Sequence, residues 1–234
     1  MFIYLKIMNY SGWELKFFDS SNNYRQYQFS LIKKYIGKKL LEIGPGTGEF
    51  ANKYFIDCVE NIYLSEIHDD FNKILRDKFK KIDNVEILSQ KVRDINDEFD
   101  TICYFDVLEH IESHEDELTS SLKRLKNGGS LIIIVPAFNY LFSHYDELVG
   151  HYRRYEKSFF YNFVKKHNLK CEKLIYFDSI GYLFLLINKL IKTKTKKSVG
   201  VATIFWNLLV PLSRLIDKIT FNSFGKSVLC VIKK

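Results

Sequence analysis

Short apolar runs alternate along the chain with segments whose apolar positions recur at helical spacing. The strand-like runs are Lys39–Ile43, Asn61–Ser65, Val85–Leu88, Asp100–Phe105, Ser130–Val135, Lys170–Phe177 and Ser227–Ile232. The helix-like segments between them are Glu49–Phe55, Asp69–Phe79, Glu115–Leu125 and Lys157–His167, the third with an expected C-cap at Asn127-Gly128-Gly129. This alternation predicts an α/β domain in which helices cover a mostly parallel sheet.

The stretch between the sixth and seventh strands is longer than a minimal α/β unit needs. It contains two apolar helix-like segments, Ile180–Ile191 and Val201–Ile219, joined by a lysine-rich stretch at 192–197. Pro211 is expected to kink the second segment or divide it in two. We find no repeat and no low-complexity linker. We therefore predict one domain, divided into an N-terminal helical segment (1–38), a core (39–179), a helical insertion (180–224) and the last strand (225–234).

The most informative stretch is the turn after the first strand, where Gly44, Gly46 and Gly48 occupy alternate positions before a helix begins. Glycine allows a sharp turn and a close approach of a ligand. The spacing differs from that of dinucleotide sites, and no Lys-Ser/Thr pair follows as in a phosphate-binding loop. Glu42 would repel a pyrophosphate, but it suits a ligand with an ammonium and a sulfonium group. S-adenosylmethionine carries both.

The second predicted strand ends at Glu66, about twenty residues after the glycines, at the place where Rossmann-like sites bind the ribose hydroxyls. With the glycine turn, four further features resemble the successive motifs of class I S-adenosylmethionine-dependent methyltransferases: Glu66, the strand entry at 99–100, the stretch 106–111 and the stretch 125–129. The resemblance covers roughly Leu40 to Phe177. It implies a Rossmann-like seven-stranded sheet whose last strand is antiparallel, with the cofactor over the first two strands and the substrate near the ends of the fourth and fifth.

The region after the third strand departs from the family pattern. Members often have an acid there that binds the adenine amino group, whereas this chain has Gln90 and Lys91. We therefore assign the adenine contact to Val92 and Asp94, and we expect Asp106, after the fourth strand, to contact the cofactor too.

Methyl transfer requires a docked nucleophile and usually a base, but no metal. His110, after the fourth strand, and His151, in the long connection after the fifth, are the candidate bases; His110 alternatively contacts backbone at a helix start. The same connection supplies the expected acceptor wall, whose residues are Phe138, Asp146, Arg153, Arg154 and Tyr155. None of the six histidines shows a two-histidine ligand spacing on a helix, so we predict no metal ligand among them.

The segment 136–155 also resembles a subgroup of these enzymes associated with glycosyltransferases and with surface-glycan or glycolipid synthesis. The resemblance extends into the tail through Gly181, Pro211-Leu212 and Gly225-Lys226-Ser227. The resemblance implies methyl transfer to oxygen of a small-molecule, sugar or lipid-linked glycan acceptor. The alternatives are a quinone or other lipid precursor as acceptor and a non-catalytic S-adenosylmethionine-binding module. We predict no nucleic-acid partner, because no Asn/Asp-Pro-Pro-Tyr/Phe tetrapeptide follows the fourth strand. The glycine spacing and Glu42 argue against an NAD-dependent reductase.

Charge and cysteine content suggest where the protein works. The four cysteines form no C-x-x-C pair, the apolar stretch at Met1–Met8 is short for a signal peptide, and no apolar run reaches the length of a membrane span. These features predict a cytoplasmic protein. The net charge of +7 and the apolar insertion, with Arg214 and Lys218 beside it and Trp206 at interfacial depth, predict peripheral contact with the inner membrane surface. The alternatives are packing of the insertion on the domain and a homodimer interface.

Overall fold

In a computed structural model, which describes residues 12, 15–191 and 196–234, one sheet of seven strands has the order β3-β2-β1-β4-β5-β7-β6. The strands are β1 (Lys39–Ile43), β2 (Asn61–Ser65), β3 (Val85–Leu88), β4 (Phe99–Phe105), β5 (Leu125–Pro136), β6 (Lys170–Phe177) and β7 (Ser227–Lys233). The helices are α1 (Leu15–Asp19), α2 (Asn22–Ile32), α3 (Glu49–Tyr54), α4 (Asp69–Phe79), α5 (His114–Arg124), α6 (His144–Leu148), α7 (Lys157–Lys166), α8 (Ser179–Ile191) and α9 (Lys196–Ile219). The predicted fold class is confirmed.

The direction of the strands decides where a ligand can bind. β1 pairs in parallel with β2 and β4, and β4 pairs in parallel with β5. β7 is antiparallel to both of its neighbours, β5 and β6. The carboxyl ends of β1, β2, β4 and β5 therefore meet at one edge of the sheet, which is where open α/β sheets bind their ligands.

Strand β5 shows why the sheet is buried on both faces. Leu131, Ile133 and Val135 pack into the hydrophobic cluster on one face of the sheet. Ile132 and Ile134 pack into the cluster on the other face. All five side chains are fully buried, which explains why the strand is a continuous apolar run and not an alternating one.

The predicted helix end at Asn127-Gly128-Gly129 is wrong. Helix α5 ends at Arg124, Leu125 is already extended, and β5 continues through both glycines. Gly128 has a positive φ of 75°, and its N–H donates to the carbonyl of Lys234 at 2.9 Å. Sheet pairing has overridden the local glycine signal, and the register of β4 against β5 shifts at this point.

The insertion consists of α8 and α9, which begin slightly earlier than predicted. Helix α9 runs through Pro211 without a break, so the predicted division is wrong. Within the described residues, no helix is both long enough and apolar enough to cross a bilayer. The predictions for Met1–Met8 and for residues 192–195 of the lysine-rich stretch concern positions outside the described residues.

Helix α9 turns a partly polar stripe inward and an apolar face outward. The buried stripe is Thr203, Trp206, Val210, Ser213 and Asp217. The outward face, which we call the α9 apolar face, is Ile204, Phe205, Leu208, Leu209, Leu212, Leu215 and Ile219, whose exposed fractions range from 39% to 67%. The placement of Trp206 at a membrane interface is therefore wrong, because this side chain is 5% exposed and faces the core.

Two buried aspartates explain this orientation. Asp178, which directly follows β6, accepts hydrogen bonds from Trp206 Nε1 at 2.7 Å and from Ser213 Oγ at 3.0 Å. Asp217 accepts from the backbone N–H groups of Asp178 at 2.7 Å and Ser179 at 2.9 Å. Buried polar groups need such partners, and satisfying both aspartates fixes which side of α9 packs on the domain.

Candidate active site

A cavity of about 600 Å³ opens at the carboxyl edge of β1, β2 and β4. Its walls come from the turn after β1, the end of β2, the segment after β4 and the connection between α6 and α7. The polar and glycine positions of this lining include Arg25, Glu42, Gly44, Gly46, Glu66, Asp106, Glu109, His110, His151, Tyr152, Arg154 and Lys226. The position agrees with the strand-end location inferred from the topology.

The glycines after β1 have two different structural roles. Gly44 and Gly46 have positive φ values of 64° and 56°, and both line the cavity. A Cβ on Gly44 would lie 2.8 Å from Val107 Cγ2, so only glycine fits there without a shift of its neighbour. Gly48 is a correction: it does not line the cavity, and a Cβ on it would lie 2.6 Å from Leu75 Cδ2. Its role is the packing of α3 against α4.

Glu42 is a buried acid at the floor of this cavity. Its side chain lies on β1 and the residue is 3% exposed, with no hydrogen-bond partner for Oε2 among the described residues. Burial raises the pKa of Glu42 to about 8, and the positive charge of Arg25 opposes this shift. An acid in this state is costly unless a cationic or donor group meets it. The ammonium group of S-adenosylmethionine has that chemistry, so the residues here fit the implied cofactor.

Glu66 is held in place at the end of β2 by backbone donors. Its Oε1 accepts from the N–H of His68 at 2.9 Å, and its Oε2 accepts from the N–H of Gly46 at 3.3 Å. Burial raises the pKa of this carboxyl, and the backbone hydrogen bonds act in the opposite direction. The carboxylate is thus fixed beside the glycine turn before any ligand arrives, as a ribose-binding acid needs to be.

The predicted adenine contacts are corrected by the structure. Val92 is fully buried in the core, and Asp94 points to Arg93, with its Oδ1 3.7 Å from Arg93 Nε. Neither residue lines the cavity, whereas Gln90, Lys91 and Arg93 do. A short helical turn over 92–94 places Val92 in the core and Arg93 at the cavity.

The two predicted bases come together on the opposite side of the cavity. The ring centroids of His110 and His151 are 4.7 Å apart. Asp146, which is fully buried, accepts from His151 Nδ1 at 2.8 Å and from Arg154 Nε and Nη2 at 2.9 and 3.1 Å. Burial alone would raise the pKa of Asp146, but its contacts with His151 and Arg154 outweigh burial and lower it. Asp146 therefore fixes the orientation of the His151 ring.

Glu109 lines the cavity but was not among the predicted site residues, although it lies inside the stretch 106–111. It is fully buried, and neither carboxylate oxygen has a hydrogen-bond partner among the described residues. Oε1 lies 3.8 Å from Nε2 of His151. Burial, followed by the charge of Asp106, raises the pKa of Glu109 well above its usual range. Burial, followed by the charge of His151, lowers the pKa of His110 to about 3.

Most of the predicted acceptor wall lies behind the cavity. Arg153 donates to the carbonyls of Ile111 at 2.7 Å and Glu112 at 3.0 Å. Tyr155 is 2% exposed, and its hydroxyl donates to the carbonyl of Leu108 at 3.1 Å. Phe138 stacks on Tyr176. Four of the five predicted residues do not line the cavity: Phe138, Asp146, Arg153 and Tyr155. The fifth, Arg154, lines it, but its guanidinium is bound to Asp146. The structure therefore does not present Arg153 and Arg154 to an acceptor as predicted, and these side chains hold the loop in shape.

Two cations that were not among the predicted site residues also line the cavity. Nη1 of Arg25, on α2, lies 3.8 Å from Asp106, a predicted cofactor contact whose φ of 56° is unusual for a residue other than glycine. Nζ of Lys226 lies 3.9 Å from Asp178 and 3.7 Å from the Trp206 ring centroid. Burial lowers the pKa of Lys226 to about 8. Both cations come from parts of the chain distant from the glycine turn, and the subgroup resemblance at 225–227 gave Lys226 no role in this cavity.

Comparison of the sequence with known proteins identifies the family of this chain. A family model described as a methyltransferase domain matches residues 24–174, more than half of the chain. The chain is 25% identical over 119 residues to the ubiquinone/menaquinone biosynthesis C-methyltransferase UbiE of Pseudomonas fluorescens. That match covers 47% of this chain and 46% of the relative, so it spans less than half of the relative's length.

Solved structures show the same fold. The N-methyltransferase NodS of Bradyrhizobium japonicum, in complex with S-adenosyl-L-homocysteine, matches with a TM-score of 0.60 at 13% identity, over 99% of this chain and 96% of that one. The YcgJ protein of Bacillus subtilis matches with a TM-score of 0.62 at 16% identity, over 89% and 98%. The chain therefore belongs to the methyltransferase domain family, and its fold is that of S-adenosylmethionine-dependent methyltransferases.

Proposed function

We propose that this protein binds S-adenosylmethionine in the cavity and transfers its methyl group to oxygen of an amphiphilic acceptor. The single observation that carries the proposal is the pair of buried acids beside the glycine turn. Glu42 offers an unpartnered carboxylate oxygen, and Glu66 is fixed by the N–H groups of Gly46 and His68. Both acids line the same cavity.

Each acid has a distinct part in holding the cofactor. Glu42 would bind the ammonium end and Glu66 the ribose hydroxyls, while the bare backbone of Gly44 and Gly46 lets the ligand lie close to the turn. When bound, S-adenosylmethionine supplies a methyl group carried on a positively charged sulfur. Lining by Phe50 and Phe105 excludes water from the inner part of the cavity.

The opposite wall carries the groups that an oxygen nucleophile needs. A hydroxyl attacks efficiently only as its proton leaves, and a positioned imidazole is a common means of assisting that step. Asp146 holds Nδ1 of His151, which leaves Nε2 on the side of Glu109 and the cavity. We place the acceptor hydroxyl beside His151 and His110, within this wall.

Cofactor binding and turnover test this function separately. Calorimetry should detect one S-adenosylmethionine per chain, and Glu66→Gln should weaken its affinity while the matched control, exposed Glu86→Gln, should not. Turnover is then measured with labelled cofactor on fractionated lipid, nucleotide-sugar and small-molecule pools. Binding without turnover on any pool would support the non-catalytic binding module instead, and no binding would overturn the proposal.

The α9 apolar face suggests how an amphiphilic acceptor is reached. Seven large apolar side chains are exposed on one helix, a larger patch than a soluble surface normally leaves uncovered. Arg214 and Lys218 lie on the same helix, and the chain carries a net charge of +7. An apolar face with basic neighbours matches an anionic membrane surface. We therefore place this face on the cytoplasmic side of a membrane, with the cavity receiving a lipid-linked acceptor.

Sedimentation with vesicles of anionic phospholipid tests the membrane contact. The wild type should sediment with such vesicles at low salt, and the double variant Ile204→Ser/Leu208→Ser should remain in the supernatant. The matched control, Ile74→Ser, changes an exposed isoleucine on α4 and should sediment like the wild type. A wild type that stays in the supernatant and behaves as a compact dimer would show that a second copy covers the face.

A quinone precursor is the second candidate acceptor. The observation that favours it is the similarity to UbiE, named as a C-methyltransferase of ubiquinone and menaquinone biosynthesis. Lipid-linked glycans and quinone precursors share a polar head on an apolar tail, so the α9 apolar face fits both. Methylation of a prenylated phenol but not of polyprenol-linked sugars would select the quinone-type acceptor, and the reverse result would select the glycan.

A further inference from the structure

Three potential metal ligands converge on the acceptor side of the cavity. Glu109, His110 and His151 each offer one ligand atom, and these atoms lie within 4.8 Å of one another. The first two follow β4 and the third lies beyond α6, so the fold, and not a helical repeat, brings them together. Ligands bound at about 2.1 Å to a tetrahedral ion are about 3.4 Å apart. Side-chain shifts of about 1 Å would therefore close the site.

Glu109 is a buried acid that needs a positive partner. It lines the cavity, yet both of its carboxylate oxygens lack a hydrogen-bond partner among the described residues. Nε2 of His151 lies 3.8 Å from Oε1, which is beyond hydrogen-bond distance. Buried carboxylates are normally paired or bound to a metal. Asp106, beside Glu109, adds a second negative charge and so increases the need for a positive one.

A hydrogen bond to one ring nitrogen orients each histidine, as is usual for histidines that bind metals. Nδ1 of His151 is 2.8 Å from Oδ1 of Asp146, and Asp146 is itself fixed by Arg154. The imidazole of His110 hydrogen-bonds to the backbone of Gly150, the residue next to His151. Carboxylate and carbonyl partners on one ring nitrogen set the tautomer in which the other nitrogen can bind a metal.

We propose that Glu109, His110 and His151 bind one divalent first-row transition-metal ion, with its remaining coordination positions open to the cavity. Two imidazoles and one carboxylate suit zinc, manganese, cobalt or iron in the divalent state better than the harder calcium or magnesium ions. This differs from the sequence prediction of no metal ligand. That prediction considered only histidines spaced on one helix, whereas these come from two separate loops.

The role of the ion rests on the proposed function. An acceptor hydroxyl bound to the ion would lose its proton to water more readily, because coordination lowers the pKa of a bound hydroxyl. The ion would also fix the position of that oxygen at the acceptor wall. In the metal-bound form, Nε2 of His151 is a ligand and not the proton acceptor, since the ion assists loss of the hydroxyl proton in its place; Asp146 is a positioning residue that acts through His151.

Metal titration of the full chain tests the site without any assay of turnover. After treatment with EDTA and desalting, the protein is titrated with Co²⁺ and the d–d absorption is recorded; Zn²⁺ and Mn²⁺ are titrated by calorimetry. We expect one ion per chain. Glu109→Gln and His151→Gln should each weaken binding at least about 100-fold, since loss of an outer-shell partner alone costs about 10- to 100-fold. His144→Gln, at an exposed histidine of α6, is the matched control.

The outcomes separate this inference from the proposed function. Binding of one ion by the wild type and by His144→Gln, with loss in both ligand variants that still unfold cooperatively, supports the site. No stoichiometric binding by the wild type, or unchanged binding in both ligand variants, overturns it. S-adenosylmethionine calorimetry on the EDTA-treated protein gives the independent readout. If the protein binds the cofactor but no metal, only the metal-site inference is overturned. If it binds metal but not the cofactor, only the proposed function is overturned.

Discussion

The two walls of the cavity are built in contrasting ways. The cofactor wall consists of the turn after β1 and the end of β2, so its acids, Glu42 and Glu66, lie 24 positions apart in the sequence. Backbone N–H groups fix Glu66. The opposite wall, where we place the acceptor and which we call the acceptor wall from here on, joins Glu109 and His110 to His151 and Arg154 from a different loop. Its side chains fix one another through Asp146.

This difference implies different sensitivities to mutation. A carboxylate held by backbone donors can be removed without leaving another charge buried. Removal of Asp146 would leave Arg154, which is 4% exposed, without its counter-charge. The cofactor wall should therefore respond to mutation mainly through affinity, and the acceptor wall through turnover and stability together.

The largest expected effect is on turnover in the acceptor wall. His151→Ala should lower the rate constant for methyl transfer by about 10² to 10⁴, the usual cost of losing a group that assists proton removal. Affinity for S-adenosylmethionine, measured by calorimetry, should stay within about twofold of the wild type. A variant that kept its turnover but lost cofactor affinity would reverse the assignment of the two walls.

Asp146→Ala should have the next largest effect, on stability. Breaking a buried ion pair by removing one partner costs about 3–5 kcal/mol, and here both Arg154 and His151 lose their partner. Urea unfolding should show the loss as a lower midpoint at similar slope. A double variant, Asp146→Ala/Arg154→Met, should recover part of it. No recovery would mean that the pair is not the source of the loss.

Glu42 should make stability depend on pH. Burial raises its folded-state pKa to about 8, so the folded protein retains a proton that the unfolded chain has already released. The free energy of unfolding should then fall as pH rises from about 4.5 to 8, by about 1.4 kcal/mol per pH unit within that window. Glu42→Gln cannot ionise, and its melting temperature without added cofactor should exceed that of the wild type at pH 8.5 but not at pH 4.5. Equal differences at both pH values would contradict this assignment.

The smallest expected effect is on affinity in the cofactor wall. Glu66→Ala removes an acceptor of charge-assisted hydrogen bonds, each worth about 1.5–3 kcal/mol, so S-adenosylmethionine should bind at least about tenfold more weakly. The stability of the Glu66→Ala variant should fall less than that of Asp146→Ala. Calorimetry gives the cofactor affinity, and urea unfolding of the same samples gives the stability. Unaltered cofactor affinity in the folded variant would exclude Glu66 from the ribose site.

The contrast also explains how far the sequence could predict the site. β1, β2, β3 and β6 have the predicted bounds, because each is a short apolar or β-favouring run with a clear local limit, in the two edge strands as well as in the interior ones. The glycine turn and Glu66 form a motif at fixed spacing, and both line the predicted edge. Gly48 and Val92 were predicted to contact the cofactor, but Gly48 packs against Leu75 and Phe79 and Val92 is buried in the core. Which neighbour each position meets depends on tertiary packing, which the local sequence does not contain.

The acceptor wall was harder to predict because its chemistry depends on pairing across the fold. Arg153 and Arg154 look identical in sequence, yet one binds backbone carbonyls and the other a buried aspartate. Glu109 was overlooked because a glutamate after a strand is ordinarily exposed. The second helix of the insertion was predicted to be apolar, but the hydrogen bonds of Asp178 and Asp217 determine which side of α9 packs on the domain. Helical periodicity does not reveal these hydrogen bonds.

The position of β7 has a consequence for how the molecule assembles during synthesis. This strand is the last of the seven along the chain, yet it lies between β5 and β6 and bonds to both. On the ribosome, β1 to β5 can pair as they emerge, but β6 has no place in the sheet until β7 follows it more than forty residues later. The nascent chain therefore carries an unpaired edge and two apolar helices for several seconds, at translation rates of about 5–20 residues per second. Completion of the sheet is a late, long-range event, and this interval is where chaperone binding should matter most.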